Sequence, residues 1–205
     1  MSALHDAVTT VTFTKSAFPP LAVGFFGLAI GYLVYGAQEL FGYPHRPDAK
    51  VDLATGIWGV WMPGLMQVIA GVILFVGLAW FGSFAGTPVL YMAALAFTAY
   101  GVHWFSLGMQ RALGGDARTN AMMCIGYLAL SVLGIIVFFH KGFDEPVGGV
   151  FIGLSLVYLT EFCATLRVPL AERALGFVRL GTAGWLLYLT WAVTLNFAAG
   201  YHLTV

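Results

Sequence analysis

Apolar residues fall in six long stretches along the chain, and shorter polar segments separate them. Each stretch holds about 20–25 residues, which as a helix spans the roughly 30 Å hydrocarbon core of a bilayer. The apolar and polar residues do not alternate with a period of two, as they do in membrane β-barrels. The pattern therefore predicts an all-α, multi-pass membrane protein with six transmembrane helices. The predicted spans are residues 20–41, 57–81, 87–109, 120–140, 147–166 and 180–200.

Composition supports the same class. The 205 residues are 60% hydrophobic and 9% charged, whereas a soluble domain carries about 25% charged residues. Lipid is therefore the expected solvent, in the plasma membrane (for a bacterium, the inner membrane). The net charge of zero and the absence of a basic stripe argue against nucleic acid as a partner. The predicted domains are an N-terminal tail at 1–19, a six-helix transmembrane domain at 20–200 and a C-terminal tail at 201–205.

Basic residues are unevenly divided between the two sides of the predicted bundle. Seven follow the odd-numbered spans, and two lie on the other side. The positive-inside rule then predicts a cytoplasmic location for the first group and places both termini outside. The first group is Arg46, Lys50, Arg111, Arg118, Arg167, Arg173 and Arg179; the second is Lys15 and Lys141.

Two backbone features stand out within the spans. Pro63 and Gly64 interrupt the second span, and a kink is expected there because proline removes a helical hydrogen bond. Glycines four residues apart, as at Gly27 and Gly31, let a second helix approach closely. We expect these glycines to lie at helix–helix contacts.

Several polar residues lie at predicted mid-membrane depth, where an unpartnered polar group costs several kcal/mol. Tyr100 and His103 are three residues apart and so share one face of the third span. Two interpretations of His103 stay open: a neutral ring bonded to a carbonyl or to Gln67, or a group that binds or relays a proton. Gln67 itself fits either interhelical bonding or contact with a solute. Thr98 and Trp104 lie on the same span as Tyr100.

The chemistry of an enzyme or metal site is not indicated. The histidines lie on different segments without a metal-binding spacing, and every aspartate lies in a tail or loop. Cys124 and Cys163 sit in apolar runs and are interpreted as structural thiols. Glu161 is predicted to pair with Arg167 near the membrane interface, and Glu39 is interpreted as a second interface residue. We predict neither a cofactor nor enzyme activity.

Three motifs resemble those of the acetate uptake transporter family, the succinate–acetate permease group. Residues 96–104, Ala-Phe-Thr-Ala-Tyr-Gly-Val-His-Trp, resemble the third-span motif Phe-x-x-Tyr-Gly-x-Phe-Trp. Residues 67–71, Gln-Val-Ile-Ala-Gly, resemble the second-span motif Gln-x-x-Ala-Gly. Residues 18–23, Phe-Pro-Pro-Leu-Ala-Val, resemble the first-span signature Asn-Pro-Ala-Pro-Leu-Gly-Leu, with Ala17 and Ala22 in place of its Asn and Gly. The family orientation, with both termini cytoplasmic, is opposite to the charge count.

The resemblance implies a homohexamer in the lipid membrane, in which each six-helix protomer has its own path for small monocarboxylates. Family members act as anion channels or proton-linked carriers, and their path narrows at an apolar and aromatic constriction. By position, the constriction maps to Phe26, Tyr100 and Leu154. The polar or proton-linked candidates along the path are Gln67, Thr98, His103 and Trp104.

The sequence thus predicts a membrane transporter or channel for acetate-like carboxylates, with proton linkage as an open question. Two alternatives remain. One is a non-transporting scaffold or assembly subunit of a larger complex, and the other is a channel for a neutral small solute such as ammonia or urea. A transporter needs a continuous, partly polar path through the protomer, whereas a scaffold would have that space filled.

Overall fold

The computed structural model describes residues 17–45, 48–140 and 145–205, and these residues form helices joined by turns and short loops. The predicted N-terminal tail lies mostly outside this range, as do Arg46 and Lys141. The all-α class predicted from the sequence is confirmed. The helices are α1 (Phe18–Phe41), α2 (Ala49–Gly59), a π-helical turn (Val60–Leu65), α3 (Met66–Ala79), α4 (Leu90–Ala112), a 3-10 turn (Ala117–Thr119), α5 (Asn120–Phe139), α6 (Glu145–Thr165) and α7 (Ala171–Ala199).

Within the described ranges 17–45, 48–140 and 145–205, five helical segments are long and apolar enough to cross a membrane. α7 contains the sixth predicted span but is not among these five, since glycine, threonine, tryptophan and asparagine residues lower its mean hydropathy. Its 29 residues nevertheless exceed the length needed to span a bilayer. The five segments are Pro19–Phe41, Ala49–Ala79, Leu90–Ala112, Ala117–Phe139 and Glu145–Thr165.

The second membrane helix begins at Ala49, eight residues before the predicted start at residue 57. The carboxylate of Asp48 caps it by accepting hydrogen bonds from the backbone N–H of Lys50 (2.8 Å) and of Val51 (3.4 Å). Such a cap satisfies donors that the first helical turn leaves unpaired. The predicted start of the second span at residue 57 is therefore wrong.

The expected kink at Pro63 takes the form of a π-helical turn at Val60–Leu65, inside an otherwise continuous helix from Ala49 to Ala79. Proline has no backbone N–H to donate to the helix. The wider hydrogen-bonding pattern of a π turn accommodates it while the chain continues as a helix. α1 packs against this turn through Gly31, where an added Cβ would lie 2.6 Å from Cγ of Pro63. This glycine therefore serves packing within the protomer.

α7 begins at Ala171, so the predicted start of the sixth span at residue 180 is wrong. Gly176 allows α1 to approach, because a Cβ there would lie 2.5 Å from the backbone nitrogen of Leu40. The close contact buries the charged residue Arg179 inside the bundle instead of leaving it in a loop. Treating charged residues as loop residues therefore placed the start of this helix too late in the sequence.

The interior is rich in hydroxyl-bearing aromatic rings. α1 lies against α3 and α7, α4 lies against α3, and α5 packs on α6. The largest fully buried side chains are Trp104, Tyr32, Tyr35, Tyr100 and Tyr158. A buried tyrosine hydroxyl needs a hydrogen-bond partner, so this core carries polar contacts along its length, and the candidate site is built from them.

Candidate functional site

A cavity of about 20 Å³ lies among α1, α3, α4 and α6. This volume accommodates about one water molecule, which is less than a carboxylate solute needs. Gln67 and Tyr100 are the polar residues in its wall. The apolar wall includes Leu21, Phe25, Leu28, Phe97, Phe151 and Leu154.

The structure brings together two members of the predicted constriction and leaves the third outside. Tyr100 and Leu154 are buried and line the cavity. Phe26 is 41% exposed and lies on the outer surface, whereas its neighbour Phe25 is 3% exposed and lines the cavity. Successive helix residues are rotated by about 100°, so adjacent phenylalanines cannot face the same way. The spacing of Leu21, Phe25 and Leu28 marks the inner face and was a signal available in the sequence.

The side-chain amide of Gln67 forms part of the wall of this cavity. Its side chain is fully buried at 0% exposure, and among the residues that the structure describes neither amide atom has a hydrogen-bond partner. An amide offers two donors and one acceptor oxygen. Gln67 is therefore a group in the cavity wall that can donate a hydrogen bond to an oxygen-bearing solute.

The hydroxyl of Tyr100 already takes part in a hydrogen bond within the protein. Its oxygen lies 2.8 Å from Oγ of Ser131, and Ser131 donates its own proton to the backbone carbonyl of Tyr127 at 2.8 Å. Since a serine hydroxyl has one proton, Tyr100 is the donor and Ser131 the acceptor. Tyr100 therefore offers only oxygen lone pairs to the cavity unless this bond breaks.

His103 lies one helical turn beyond Tyr100 and outside the cavity wall. Its Nδ1 is 3.1 Å from the hydroxyl oxygen of Tyr158, and its ring centroid is 4.8 Å from that of Tyr127. Within the described part of the chain, Nε2 is buried without a hydrogen-bond partner. Of the two interpretations left open, the structure shows His103 bonded to a tyrosine, not to Gln67 or a carbonyl.

Thr98 and Trp104 also lie away from the cavity wall. The Thr98 hydroxyl donates to the carbonyl of Ala94 at 2.9 Å, and its side chain packs on Gly71 of α3. Trp104 is buried against the rings of Tyr32 and Tyr35. Of the seven site residues predicted from the sequence, three therefore meet at the cavity: Gln67, Tyr100 and Leu154.

A buried charged cluster is the part of the interior that the sequence analysis missed. The guanidinium of Arg179 binds Glu39 through Nη1 and Glu161 through Nη2, the latter at 3.0 Å. The predicted pairing of Glu161 with Arg167 is thus wrong. Arg179 shares a face with Leu175, four residues away, and that helical spacing was the available signal.

A second charged pair follows towards the same end of the bundle. Nε of Arg111 lies 2.9 Å from Oδ1 of Asp52, and Nη2 of Arg111 donates to Oε1 of Gln38. Gln38 in turn donates to the hydroxyl of Thr55 at 2.8 Å. One end of the protomer interior is therefore ionic, and the cavity region is not.

Metal ligation has no evident location in residues 17–45, 48–140 and 145–205, where no three His, Cys, Asp or Glu side chains cluster to hold an ion. Cys124 is buried, Cys163 is half-buried, and both are free thiols.

The fold matches that of a solved structure, the bacterial acetate channel SatP. The two share a TM-score of 0.68 and 19% sequence identity, over 91% of this chain and 96% of that chain. No protein-family model matches the sequence, and no curated protein matches it either. At this identity the likeness establishes the fold. The resemblance in the sequence motifs thus holds at the level of structure, and the chain has the fold of that acetate channel.

Proposed function

We propose that this protein is a membrane channel or transporter for small carboxylates such as acetate. The observation that carries the proposal is the fold shared with an acetate channel over nearly the whole of both chains. The cavity supports it, since Gln67 offers an amide donor between apolar walls. A carboxylate gives up hydration on leaving water and needs such donors in return.

The proposed path is narrowest where Phe25, Tyr100 and Leu154 meet. With about 20 Å³ of free volume there, acetate passes only if these side chains move apart. An apolar ring of this kind can gate by losing and regaining water. Phe25 takes the place in the ring that the sequence assigned to Phe26.

The remaining site candidates take different places in this proposal. His103 and Trp104 belong to the next layer of the path, beyond Tyr100, where they pack against tyrosines. Thr98 supports the contact between α3 and α4 instead of meeting solute.

The second candidate is a non-transporting scaffold or assembly subunit. The observation in its favour is the filled interior: the cavity is small, and tyrosine and tryptophan rings occupy the layer beyond it. A scaffold needs no opening, whereas a channel does.

Flux into liposomes decides between the candidates. Purified protein in liposomes should admit labelled acetate faster than empty liposomes, and Gln67→Leu should slow it because the donor is lost at similar volume. Ile69→Val, on the exposed face of α3, is the matched control. Movement of urea or ammonia without acetate would favour the neutral-solute channel, and no solute flux would favour the scaffold.

We further propose a homohexamer in the plasma membrane, with one path per protomer. The motif resemblance supports this assembly. The apolar outer surface, which includes Phe26, Trp61 and Trp191, suits contact with lipid as well as with neighbouring protomers. Native mass measurement in mild detergent should give six copies of the 22.0 kDa chain. A monomer that still carries acetate would contradict it.

A further inference from the structure

Three charged side chains from three helices meet inside the bundle: Glu39 on α1, Glu161 on α6 and Arg179 on α7. Arg179 is 2% exposed and Glu161 is 5% exposed. One guanidinium binds both carboxylates, through Nη1 and Nη2. With all three ionised, this trio carries one net negative charge, and an uncompensated buried charge is strongly unfavourable.

Two atoms of the trio are buried without hydrogen-bond partners among the described residues: Oε2 of Glu39 and Nε of Arg179. The first is an acceptor and the second a donor. A proton on Glu39 would turn its free oxygen into a hydroxyl, and an oxygen of another carboxylate would accept from Nε. A guanidinium binds a carboxylate best through two adjacent N–H groups.

Other groups face the trio from the surrounding helices. Three aromatic rings lie with their centroids 5.7–6.0 Å from the guanidinium carbon of Arg179. These rings are neutral, so they do not balance the net negative charge of the trio. Arg111, whose charge also acts on Glu39, is itself paired with Asp52. The facing groups are Tyr32 and Tyr35 on α1, His103, Trp104 and Arg111 on α4, Cys124 on α5, Tyr158 on α6 and Glu172 on α7.

We propose that this trio is a second carboxylate site, in which a proton on Glu39 frees Arg179 to bind the carboxylate of the solute. The ionised Glu39 takes up one proton and leaves the guanidinium, and one solute anion takes its place. The charge of the site is the same before and after, so the anion enters without adding buried charge. The inference rests on the proposed carboxylate function and adds to it a binding residue and a stoichiometry of one proton per anion.

The test is the pH dependence of acetate binding to the purified protein between about pH 6 and pH 8, where free acetate is ionised. Uptake of one proton per acetate predicts that affinity falls as the pH rises, by about tenfold per unit wherever Glu39 of the unliganded protein is ionised. In Glu39→Gln the neutral amide replaces the protonated acid. The affinity of this variant for acetate should therefore stay, over the whole pH range, at the level that the wild type has at the acidic end. Glu145→Gln, an exposed carboxylate at the opposite end of the bundle, should keep the wild-type slope.

A site that simply binds undissociated acetic acid would show the same slope in the wild type. It would also keep that slope in Glu39→Gln, and that result would overturn the proposal. Acetate flux with no pH slope in the wild type would overturn it too, while leaving the proposed function in place. A protein that neither binds nor carries acetate would overturn both.

Infrared spectroscopy covers the case in which Glu39→Gln fails to fold. Wild-type protein with 13C-labelled glutamate should gain a protonated-carboxyl C=O band on acetate addition, shifted from its position in unlabelled protein. Absence of that band at saturating acetate would overturn the proposal.

Discussion

His103 on α4 and Tyr158 on α6 are joined by a hydrogen bond of 3.1 Å between Nδ1 and the phenolic oxygen. Each lies one helical turn from a residue of the cavity wall, Tyr100 and Leu154 respectively. Tyr158 is also one turn from Glu161 on the same helix. The pair therefore forms the layer between the apolar cavity and the buried charges, and a solute that moves between them must displace it.

Tyr158→Phe should lower the stability of the folded protein. The substitution keeps the ring but removes the partner of His103, and leaving a buried polar group unsatisfied costs about 1–3 kcal/mol. Thermal unfolding in detergent measures the effect. Tyr188→Phe is the matched control, because its hydroxyl bonds to the carbonyl of Thr204 at the exposed surface. Equal unfolding midpoints for the two variants would contradict the assignment.

Leu154→Ala should widen the path at its narrowest layer and admit carboxylates larger than acetate. Removing the buried side chain also costs about 2–5 kcal/mol, so folding must be checked alongside flux. Phe25→Ala should act in the same way. Phe26→Ala removes the same side chain from the outer surface and should leave solute size selection unchanged. If Phe26→Ala alone changed flux, Phe26 and not Phe25 would be the constriction residue.

Tyr100→Phe and Ser131→Ala should change acetate flux in opposite directions. The first removes a hydroxyl whose proton can turn from Ser131 to a passing carboxylate, and it should lower flux. The second removes the acceptor that holds the Tyr100 proton, which frees this proton for a carboxylate and should raise flux. Liposome uptake at equal protein density gives the comparison. Two variants that both match the wild type would remove Tyr100 from the path.

Gly176→Ala should destabilise the contact between α1 and α7, because the added methyl meets the backbone of Leu40. Alanine is otherwise the better helix former by about 1 kcal/mol. Gly181→Ala lies on the same helix in open space, so it should keep or raise stability. Thermal unfolding of the two variants separates the packing effect from helix propensity, and equal stability would refute the close contact.

Membrane orientation stays a prediction. The structure changes which basic residues count as loop charges in that prediction. Arg111 and Arg179 are buried in ion pairs, so they no longer count as loop charges. The remaining basic residues still outnumber Lys15 and Lys141, which favours external termini. A cysteine at Lys50 should then resist an impermeant label on intact cells, while one at Tyr201 should react. Labelling at Lys50 alone would support the family orientation.

Hydropathy was enough to predict the helical class and most span ends, because burial in lipid demands long apolar helices. It failed at α7, where Arg179 is charged yet buried. Its two carboxylate partners lie on two other helices, 140 and 18 residues away in the sequence, and a linear pattern does not show such pairing. It also failed at Asp48, since a charged segment can still be helical once it is capped. The motifs located Tyr100 and Gln67, but the choice between Phe25 and Phe26 needed the helix phase.

The π-helical turn at Val60–Leu65 marks the place where this helix can change its length. The turn lies between α2, which carries Asp52, and α3, which carries Gln67. Deleting one residue from the α-helical turns beside it would rotate the two halves by about 100° relative to each other. Either the acid would leave Arg111 or the amide would leave the cavity. The wider π turn can instead lose one residue by closing to an α-helical turn. Through evolution, single-residue deletions between Asp52 and Gln67 are therefore expected within Val60–Leu65 and not beside it.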